Sequence, residues 1–248
     1  MVSERDDHTV DVTVDADAAV VAGGQPPSAR VPLSRERILS TAVRFIDERG
    51  LPDLTMRRLG AELGVEAMSM YRYVPGREEL LDGVVEVIVG ELYDDGDVIL
   101  DPQDGWQDFL QRLAHGVRRV ALGHPKAFPL VASRPPEAPW LRPPLRSLAW
   151  VETFLRGMTS EGFSEAAAVT AYRAFTSFLL GHLLLEVSVL GADIGPLDVR
   201  ADDTPDPTLE EYPLVRRLRS SLAEDHSGAE FEESLENLLD RLQLLHGR

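Results

Sequence analysis

The chain has 248 residues, of which 42 are acidic, 25 are basic and none is cysteine, so its formal net charge is −17. Proteins that bind nucleic acid by neutralising phosphates usually carry a basic surplus, so this balance argues against polyanion binding unless the charge is unevenly distributed. The lack of cysteine excludes disulfide scaffolds, thiolate zinc sites and cysteine nucleophiles.

The first thirty residues predict a disordered acidic arm. They carry six acids and two arginines, which gives −4, and they end in the linker-like run Gly23 to Ser28. Thr9 to Asp15 alternates apolar and polar residues like a strand, but we favour disorder because no partner strand is evident. A basic n-region and an apolar h-region are both missing, so we expect no secretory signal and a cytoplasmic location.

Residues 31–80 predict a compact set of helices whose eight arginines and eight acids cancel in charge. Caps, glycines and a proline indicate a helix from the N-cap Ser34 to Gly50, a second from Thr55 to Gly64, a third from Glu66 to Val74, and a fourth with Pro75 in its first turn. The acidity therefore belongs to the arm and to the last 168 residues, which carry −13.

The second and third of these helices have the pattern of a helix-turn-helix. Leu59, Leu63, Val65 and Met70 can form a small core, and Gly64 suits a left-handed turn. The outward face of the third helix would then consist of Ala67, Met68, Ser69, Arg72 and Tyr73. Such a helix fits the major groove of DNA. Because Ala67 and Met68 are apolar, they either contact thymine methyl groups and groove walls or reveal a wrong helical phase.

Longer amphipathic helices are predicted for the rest of the chain. Their apolar faces run from Trp106 to Val120, from Leu145 to Met158 and from Phe231 to Leu245, and the longest helix extends from the N-cap Ser164 to about Leu190. Proline-rich segments at 134–144 and 192–213 predict loops. The longest helix is apolar on most of its circumference, which is typical of a bundle centre or an interface; Arg173, His182 and Glu186 argue against a membrane span.

Aromatic and histidine side chains on these stripes are candidates for a small-molecule pocket between bundle helices. The candidates are Phe109, His115, Trp150, Phe154, Tyr172, Phe175 and His182. Each of them could equally be plain core, because pockets and cores of helical bundles use the same residue types. His182 and Glu186 lie one helical turn apart and could share a metal ion, but no second pair accompanies them, so we predict no metal and no cofactor.

The helix-turn-helix region resembles the DNA-binding domain of the TetR family of transcriptional repressors. The similarity covers residues 33–93 and is carried by Ile-Leu-x-x-Ala in the first helix, Leu-Thr-Met-Arg-Arg-Leu-Gly-x-x-Leu-Gly-Val, Met-Tyr-Arg-Tyr-Val and Arg-Glu-Glu-Leu-Leu-Asp. The remainder resembles, more loosely, the ligand-binding and dimerisation domain of the tetracycline-repressor branch.

The resemblance implies a role in DNA contact for nine residues: Met56, Arg57, Ala67, Met68, Ser69, Tyr71, Arg72, Tyr73 and Arg77. Among them, Tyr71 and Arg77 match positions that approach the phosphate backbone, aided by the dipole at the start of the fourth helix. Glu66 and Tyr73 depart from the family pattern, so the operator sequence cannot be predicted. Without the resemblance, scattered arginines would simply solvate a helical surface.

These patterns together predict an all-α protein with a disordered arm (1–30), a three-helix helix-turn-helix domain (31–80) and a helical bundle for ligand binding and dimerisation (81–248). We expect a repressor that binds a palindromic operator in double-stranded DNA as a homodimer, and that a small-molecule effector releases. The helix Ser164 to Leu190 and the last helix would form the dimer interface. The alternatives are a helical small-molecule binding protein and an undetected helical enzyme; common catalytic motifs are absent.

Overall fold

The computed structural model describes residues 32–98, 101–134, 138, 140–141, 147–193 and 209–246. The predicted disordered arm, with its strand-like segment and linker, lies outside these residues. Parts of the two proline-rich segments lie outside them as well.

The described residues are helical, with no strand among them, which confirms the all-α prediction. Ten α-helices occur, α1 (Arg35–Arg49), α2 (Met56–Leu63), α3 (Ala67–Met70), α4 (Arg77–Asp94), α5 (Trp106–Gly123), α6 (Phe128–Ser133), α7 (Leu148–Ser160), α8 (Glu165–Val189), α9 (Pro213–Ala223) and α10 (Ser227–Gln243). Short 3₁₀ helices lie at Leu51–Asp53 and Leu209–Glu211.

The helix starts predicted from capping residues are confirmed. The side chains of Ser34, Thr55 and Ser164 each accept a hydrogen bond from the backbone N–H three residues later, at the starts of α1, α2 and α8. These bonds satisfy N–H groups that have no partner within the helix. Gly64 ends α2 in the left-handed conformation, with φ 70° and ψ 32°, as predicted.

Two predicted boundaries were wrong. The third helix ends at Met70 instead of Val74, and residues 71–73 form a turn in which Tyr73 and Val74 both donate to the Met70 carbonyl. Pro75 precedes α4 instead of lying in its first turn, because the N-cap is Gly76. Two further helices, α6 and α9, were not predicted at all.

Two groups of buried apolar side chains fill the interior. The N-terminal core joins α1, α2, α3 and most of α4, whereas the C-terminal core joins α5, α7, α8 and α10. The short helix α6 belongs to both, because Ala127, its N-cap residue, and Leu130 lie in the N-terminal core while Phe128 lies in the C-terminal core. The predicted boundary at residue 80 falls inside α4, so that helix is also shared.

Helix α8 is long and apolar enough, by length and composition alone, to span a membrane; no other helix of the described ranges is. A core helix passes the same test, and Ala168, Tyr172 and Phe175 of α8 are buried in the C-terminal core. Internal packing therefore accounts for much of its apolar character.

Candidate nucleic-acid interface and internal cavity

The turn between α2 and α3 depends on a close approach of the backbone at Gly60. A Cβ atom at this position would lie 2.9 Å from the Val65 carbonyl oxygen and 3.3 Å from the Ala67 nitrogen. Real Cβ atoms essentially never approach backbone so closely, so the missing side chain lets the start of α3 rest on α2. Val65 N–H donates to the Gly60 carbonyl at 2.9 Å and closes the turn.

Gly60→Ala is expected to destabilise the protein by about 1–2 kcal/mol, since the cost of displacing backbone exceeds the gain in helix propensity. Gly90→Ala is the matched control, because Gly90 lies within α4 and a Cβ there meets nothing within 4 Å. That change should stabilise by about 0.5–1 kcal/mol. Denaturant unfolding of both variants measures the difference, and equal effects of the same sign would contradict the role given to Gly60.

We call an arginine of this region engaged when a carboxylate or a backbone carbonyl of the described residues accepts from its guanidinium, and unengaged when neither does. Five donate to acceptors of the same chain: Arg35 to Glu86, Arg49 to Glu62, Arg58 to Asp53, Arg37 to the Leu63 carbonyl and Arg77 to the Leu54 carbonyl. Arg44, Arg57 and Arg72 form no ion pair with any described residue. Arg57, at the start of α2, is exposed and has no hydrogen-bond partner there; Arg72 donates only to the Tyr73 hydroxyl, at 3.1 Å.

The predicted outward face of α3 is present in part. Met68 is 77% exposed, and Ser69, Tyr71 and Arg72 are exposed as well. Ala67 and Tyr73 are half-buried and pack against the N-terminal core, and Met56 does the same from α2. The Arg72 guanidinium lies 5.1 Å from the centre of the Tyr73 ring, so Tyr73 supports Arg72 from the side of the core.

Arg77 has a structural contact that the sequence did not indicate. It begins α4 and its guanidinium donates to the carbonyl of Leu54, just before α2. This bond ties the start of α4 to the start of the helix-turn-helix. Glu78 and Glu79 share the first turn of α4, where their charge offsets the attraction of the helix dipole for a phosphate.

A partly open cavity of about 70 Å³ lies between the two cores. Five helices and Ser147, the N-cap of α7, supply its wall, which consists of Val85, Ile88, Val89, Leu92, Val117, Val120, Phe128, Val131, Ser147, Trp150, Phe175, Thr176, Leu179 and Leu180. Twelve of these fourteen side chains are apolar, and the other two carry a hydroxyl group. The described wall contains no charged side chain.

Of the seven predicted pocket residues, the structure places Trp150 and Phe175 at this cavity. Phe109 and Phe154 are buried in the C-terminal core. Tyr172 borders an open groove between α7 and α8, and burial raises the pKa of its hydroxyl.

The two histidines of that set lie near α10. His115 contacts Glu232, with 3.0 Å between Nε2 and Oε1, and His182 packs on Phe231.

Sequence reasoning missed the aliphatic wall. Eight of the lining residues are valine, isoleucine or leucine on α4, α5 and α8, and another is Val131 on α6. They lie on the same apolar stripes as core residues, so hydrophobic periodicity gives no signal that separates them. The contribution of α4 matters most, because this helix also carries the N-terminal core.

Of the pair His182 and Glu186, the glutamate is held by an arginine. Arg118 binds the Glu186 carboxylate through two hydrogen bonds, of 2.6 Å and 3.1 Å, which raise the pKa of the arginine further. His182 Nε2 lies 4.0 Å from the nearer Glu186 oxygen. The part of the chain that the structure describes offers no group of three or more metal-ligating side chains.

His124, which follows α5, joins the end of α1 to α4. Its Nδ1 lies 2.6 Å from an Asp47 carboxylate oxygen and its Nε2 lies 2.9 Å from a Glu91 oxygen. The hydrogen bond to Asp47, helped by the one to Glu91, raises the pKa of His124 from 6.5 to about 9 although burial opposes the shift. Lys126 donates to the Glu48 carbonyl at 3.0 Å beside it.

This raised pKa predicts a stability that falls with increasing pH. The protonated imidazolium stabilises the fold fully below about pH 6.5, and that stabilisation is lost as the pH rises through about 9. The loss should be about 1–2 kcal/mol, since water screens the half-exposed Glu91. The difference in unfolding free energy between the wild type and His124→Gln measures it.

The matched control for this prediction is His226→Gln. His226 is largely exposed and forms one ion pair among the described residues, with Glu224 two positions away. The unfolding free energy of His226→Gln should depend on pH as that of the wild type does. If the unfolding free energy of His124→Gln also runs parallel to that of the wild type between pH 6.5 and 9, the prediction is contradicted.

An exposed apolar patch lies where α8 ends and α10 begins. Leu185 and Val189 of α8 are 68% and 75% exposed and share a groove with Leu222 of α9. The apolar stripe of α10 is largely buried in the C-terminal core of its own chain, at Phe231, Leu235, Leu239 and Leu242. We call Leu185, Val189 and Leu222 the Leu185 patch.

Comparison with known proteins identifies the arrangement. The model of the tetracyclin repressor-like C-terminal domain matches residues 100–244, and that of the bacterial regulatory proteins of the tetR family matches residues 38–84.

Individual relatives cover most of the chain. It is 29% identical over 224 residues to the HTH-type transcriptional repressor DrrR1 of Streptomyces coeruleorubidus, covering 86% of this chain and 78% of the relative. It is 29% identical over 208 residues to the class D tetracycline repressor of Escherichia coli, covering 84% and 88%. The crystal structure of a possible TetR family regulator from Streptomyces coelicolor A3(2) has a TM-score of 0.66 at 27% identity, covering 86% of this chain and all of that one.

Proposed function

The chain belongs to the TetR family of DNA-binding transcriptional regulators, and from this premise we propose that it is a repressor whose homodimer occupies a palindromic operator until a small-molecule effector releases it. We assign residues 31–80 to operator binding and residues 81–248 to dimerisation and effector binding, with α4 serving both. We also propose that it acts in the cytoplasm, where its DNA target is found.

The observation that carries the DNA-binding proposal is the unengaged state of Arg57 and Arg72. An arginine that is already paired with an acid must lose that partner before it contacts a phosphate or a base, whereas Arg57 and Arg72 need lose no ion pair. They lie on α2 and just after α3 beside the exposed Met68 and Ser69. We therefore propose Met56, Arg57, Ala67, Met68, Ser69, Tyr71, Arg72, Tyr73 and Arg77 as the operator-binding surface, with Arg57 and Arg72 as its principal cations.

Dimerisation supports this role because a single helix-turn-helix contacts few base pairs. Two copies related by a two-fold axis would place their α3 helices about 34 Å apart, in successive major grooves. We propose that the Leu185 patch lies in the interface, since apolar side chains of this size are rarely left exposed together. Both copies would contribute the same surface.

Effector control follows from the shared helices. The cavity wall includes residues of α4 and α6, and both helices also contribute to the N-terminal core. An effector that binds best when these helices have moved would shift α3 out of register with the operator. Thermodynamic linkage makes the effect reciprocal: the effector lowers the affinity for DNA by the same factor by which bound DNA lowers the affinity for the effector.

An electrophoretic mobility shift with the DNA that flanks the protein's own gene tests the proposal. We expect a sequence-specific complex that survives competitor DNA, with a footprint symmetric about a dyad. A helical small-molecule binding protein without DNA affinity would give no shift at low salt. That result, or a shift indifferent to sequence, would overturn the repressor assignment.

A further inference from the structure

The chemistry of the cavity wall points to the class of effector. Resting on the effector site proposed above, we propose that the effector is an uncharged, mainly apolar molecule with an aromatic or aliphatic ring, bound without a metal ion. Three features support it: the composition of the wall, the small size of the cavity and the ion pairs formed by charged side chains on the helices that supply the wall.

The wall disfavours ions. Its two polar side chains, Ser147 and Thr176, are hydroxyls, and the Ser147 oxygen already accepts from the Trp150 N–H at 3.2 Å. A carboxylate or ammonium group buried here would lack an opposite charge, and burying an unpaired ion is far more costly than burying a neutral group. Water is also poorly held by such a wall, so an apolar guest displaces little.

Several charged side chains on the helices that supply the wall are engaged in ion pairs. Glu91 of α4 pairs with His124, and Glu86 pairs with Arg35. On the other side of α5, Arg118 and Glu186 pair with each other. None of these residues contributes to the described wall, so they offer no unpaired charge to an ionic effector there.

The wall also lacks ligands for a metal ion. No histidine, aspartate or glutamate lines it among the described residues, and no group of three metal-ligating side chains occurs elsewhere in those ranges. Hydroxyl groups alone are weak ligands for the divalent cations that proteins usually bind. A metal-chelated effector would therefore find no carboxylate or imidazole ligand among the described residues of the wall.

The cavity is smaller than the effector that we propose, so binding requires the helices around it to move. About 70 Å³ is well below the roughly 300–1,000 Å³ of typical ligand pockets. A guest with two fused rings exceeds this volume, so helices that supply the wall, α4 and α6 among them, must move apart to admit it. Widening the cavity therefore displaces helices that carry the N-terminal core.

Three probes that share a naphthalene ring and differ in charge test the proposal by isothermal titration calorimetry on the full chain without DNA. These are 2-naphthol, the anion 2-naphthoate and the cation 2-naphthylmethylammonium, each titrated with Mg²⁺ and with a chelator. We expect 2-naphthol to bind roughly a hundredfold more tightly than either ion, and equally with and without Mg²⁺. An ion that binds within tenfold of 2-naphthol, dependence on Mg²⁺, or no binding of 2-naphthol would each overturn the proposal.

A charged variant locates the binding. Leu180→Glu places a carboxylate at the wall and should lower the affinity for 2-naphthol while raising that for the ammonium probe. Leu122→Glu is the matched control, because Leu122 is a partly exposed leucine of α5 that does not line the cavity. An unchanged order of the probes in folded Leu180→Glu would contradict the assigned site. The wild-type comparison needs no variant, so it decides even if Leu180→Glu does not fold.

Failure of this inference is distinguishable from failure of the proposed function. Probe binding is measured without DNA, whereas the operator complex is measured without probes. A specific operator complex together with preferred binding of an ion would overturn the effector class alone. Binding of 2-naphthol with no operator complex would overturn the repressor assignment alone.

Discussion

Replacing Arg57 and Arg72 together by alanine is expected to lower operator affinity about a thousandfold or more. In a homodimer the change removes four guanidinium groups, and each lost contact costs about 1 kcal/mol or more. The salt dependence should also become flatter, by up to roughly four units of log–log slope if all four groups contact phosphates. Binding isotherms at several salt concentrations measure both quantities.

Arg58→Ala provides the control for this effect. Arg58 is the next residue along α2 and is also exposed, but its guanidinium is held by Asp53. The substitution removes the same unit of charge, so a general electrostatic effect would weaken binding to a similar degree. We expect Arg58→Ala to lower affinity much less than Arg57→Ala. Equal losses would show that net charge, and not the unengaged state of Arg57, determines affinity.

Placing glutamate at both Leu185 and Val189 is expected to convert the dimer to monomers. These side chains are exposed in the single chain, and in a two-fold interface each carboxylate would be buried without an opposite charge in both copies. Because operator binding depends on two linked copies of α3, affinity should fall at least a hundredfold. Analytical ultracentrifugation measures the first effect, and mobility shift measures the second.

Val169→Glu tests whether the position of the charge matters. Val169 is also an exposed apolar residue of α8, but it lies roughly 160° round the helix from Leu185 at 100° per residue. It borders the groove between α7 and α8. We expect this variant to remain dimeric. If the double variant stays dimeric as well, the interface must lie elsewhere on the chain.

Features decided by a few neighbouring residues could be predicted from the sequence. Ser34, Thr55 and Ser164 cap their helices because a serine or threonine oxygen reaches the third N–H without help from the rest of the fold. Gly64 adopts a positive φ for an equally local reason. The length of α3 was wrong because its end depends on Met70, whose buried side chain anchors the turn that follows.

The members of the cavity wall could not be predicted, because helix packing decides them. Phe109 and Phe175 both lie on apolar stripes with helical periodicity, yet only Phe175 lines the cavity. A Cβ atom on Gly157 would lie 2.6 Å from the Phe109 ring, so that glycine lets α5 and α7 approach closely and encloses Phe109 in the core. Helix α6 was not predicted because it has only six residues. Helix α9 was not predicted because none of its side chains is buried in the chain.

The position of α6 limits how far the operator-binding helices can act as an exchangeable module. Ala127 and Leu130 fill the N-terminal core, while Arg134, just after α6, binds Asp82 of α4 at 2.9 Å. A chimera that joins residues 33–94 to the C-terminal part of another regulator would lose the contacts that α6 makes with the N-terminal core. Specificity for DNA and response to an effector are therefore inherited together in this architecture, and a designed exchange must carry α6 with the helices that it supports.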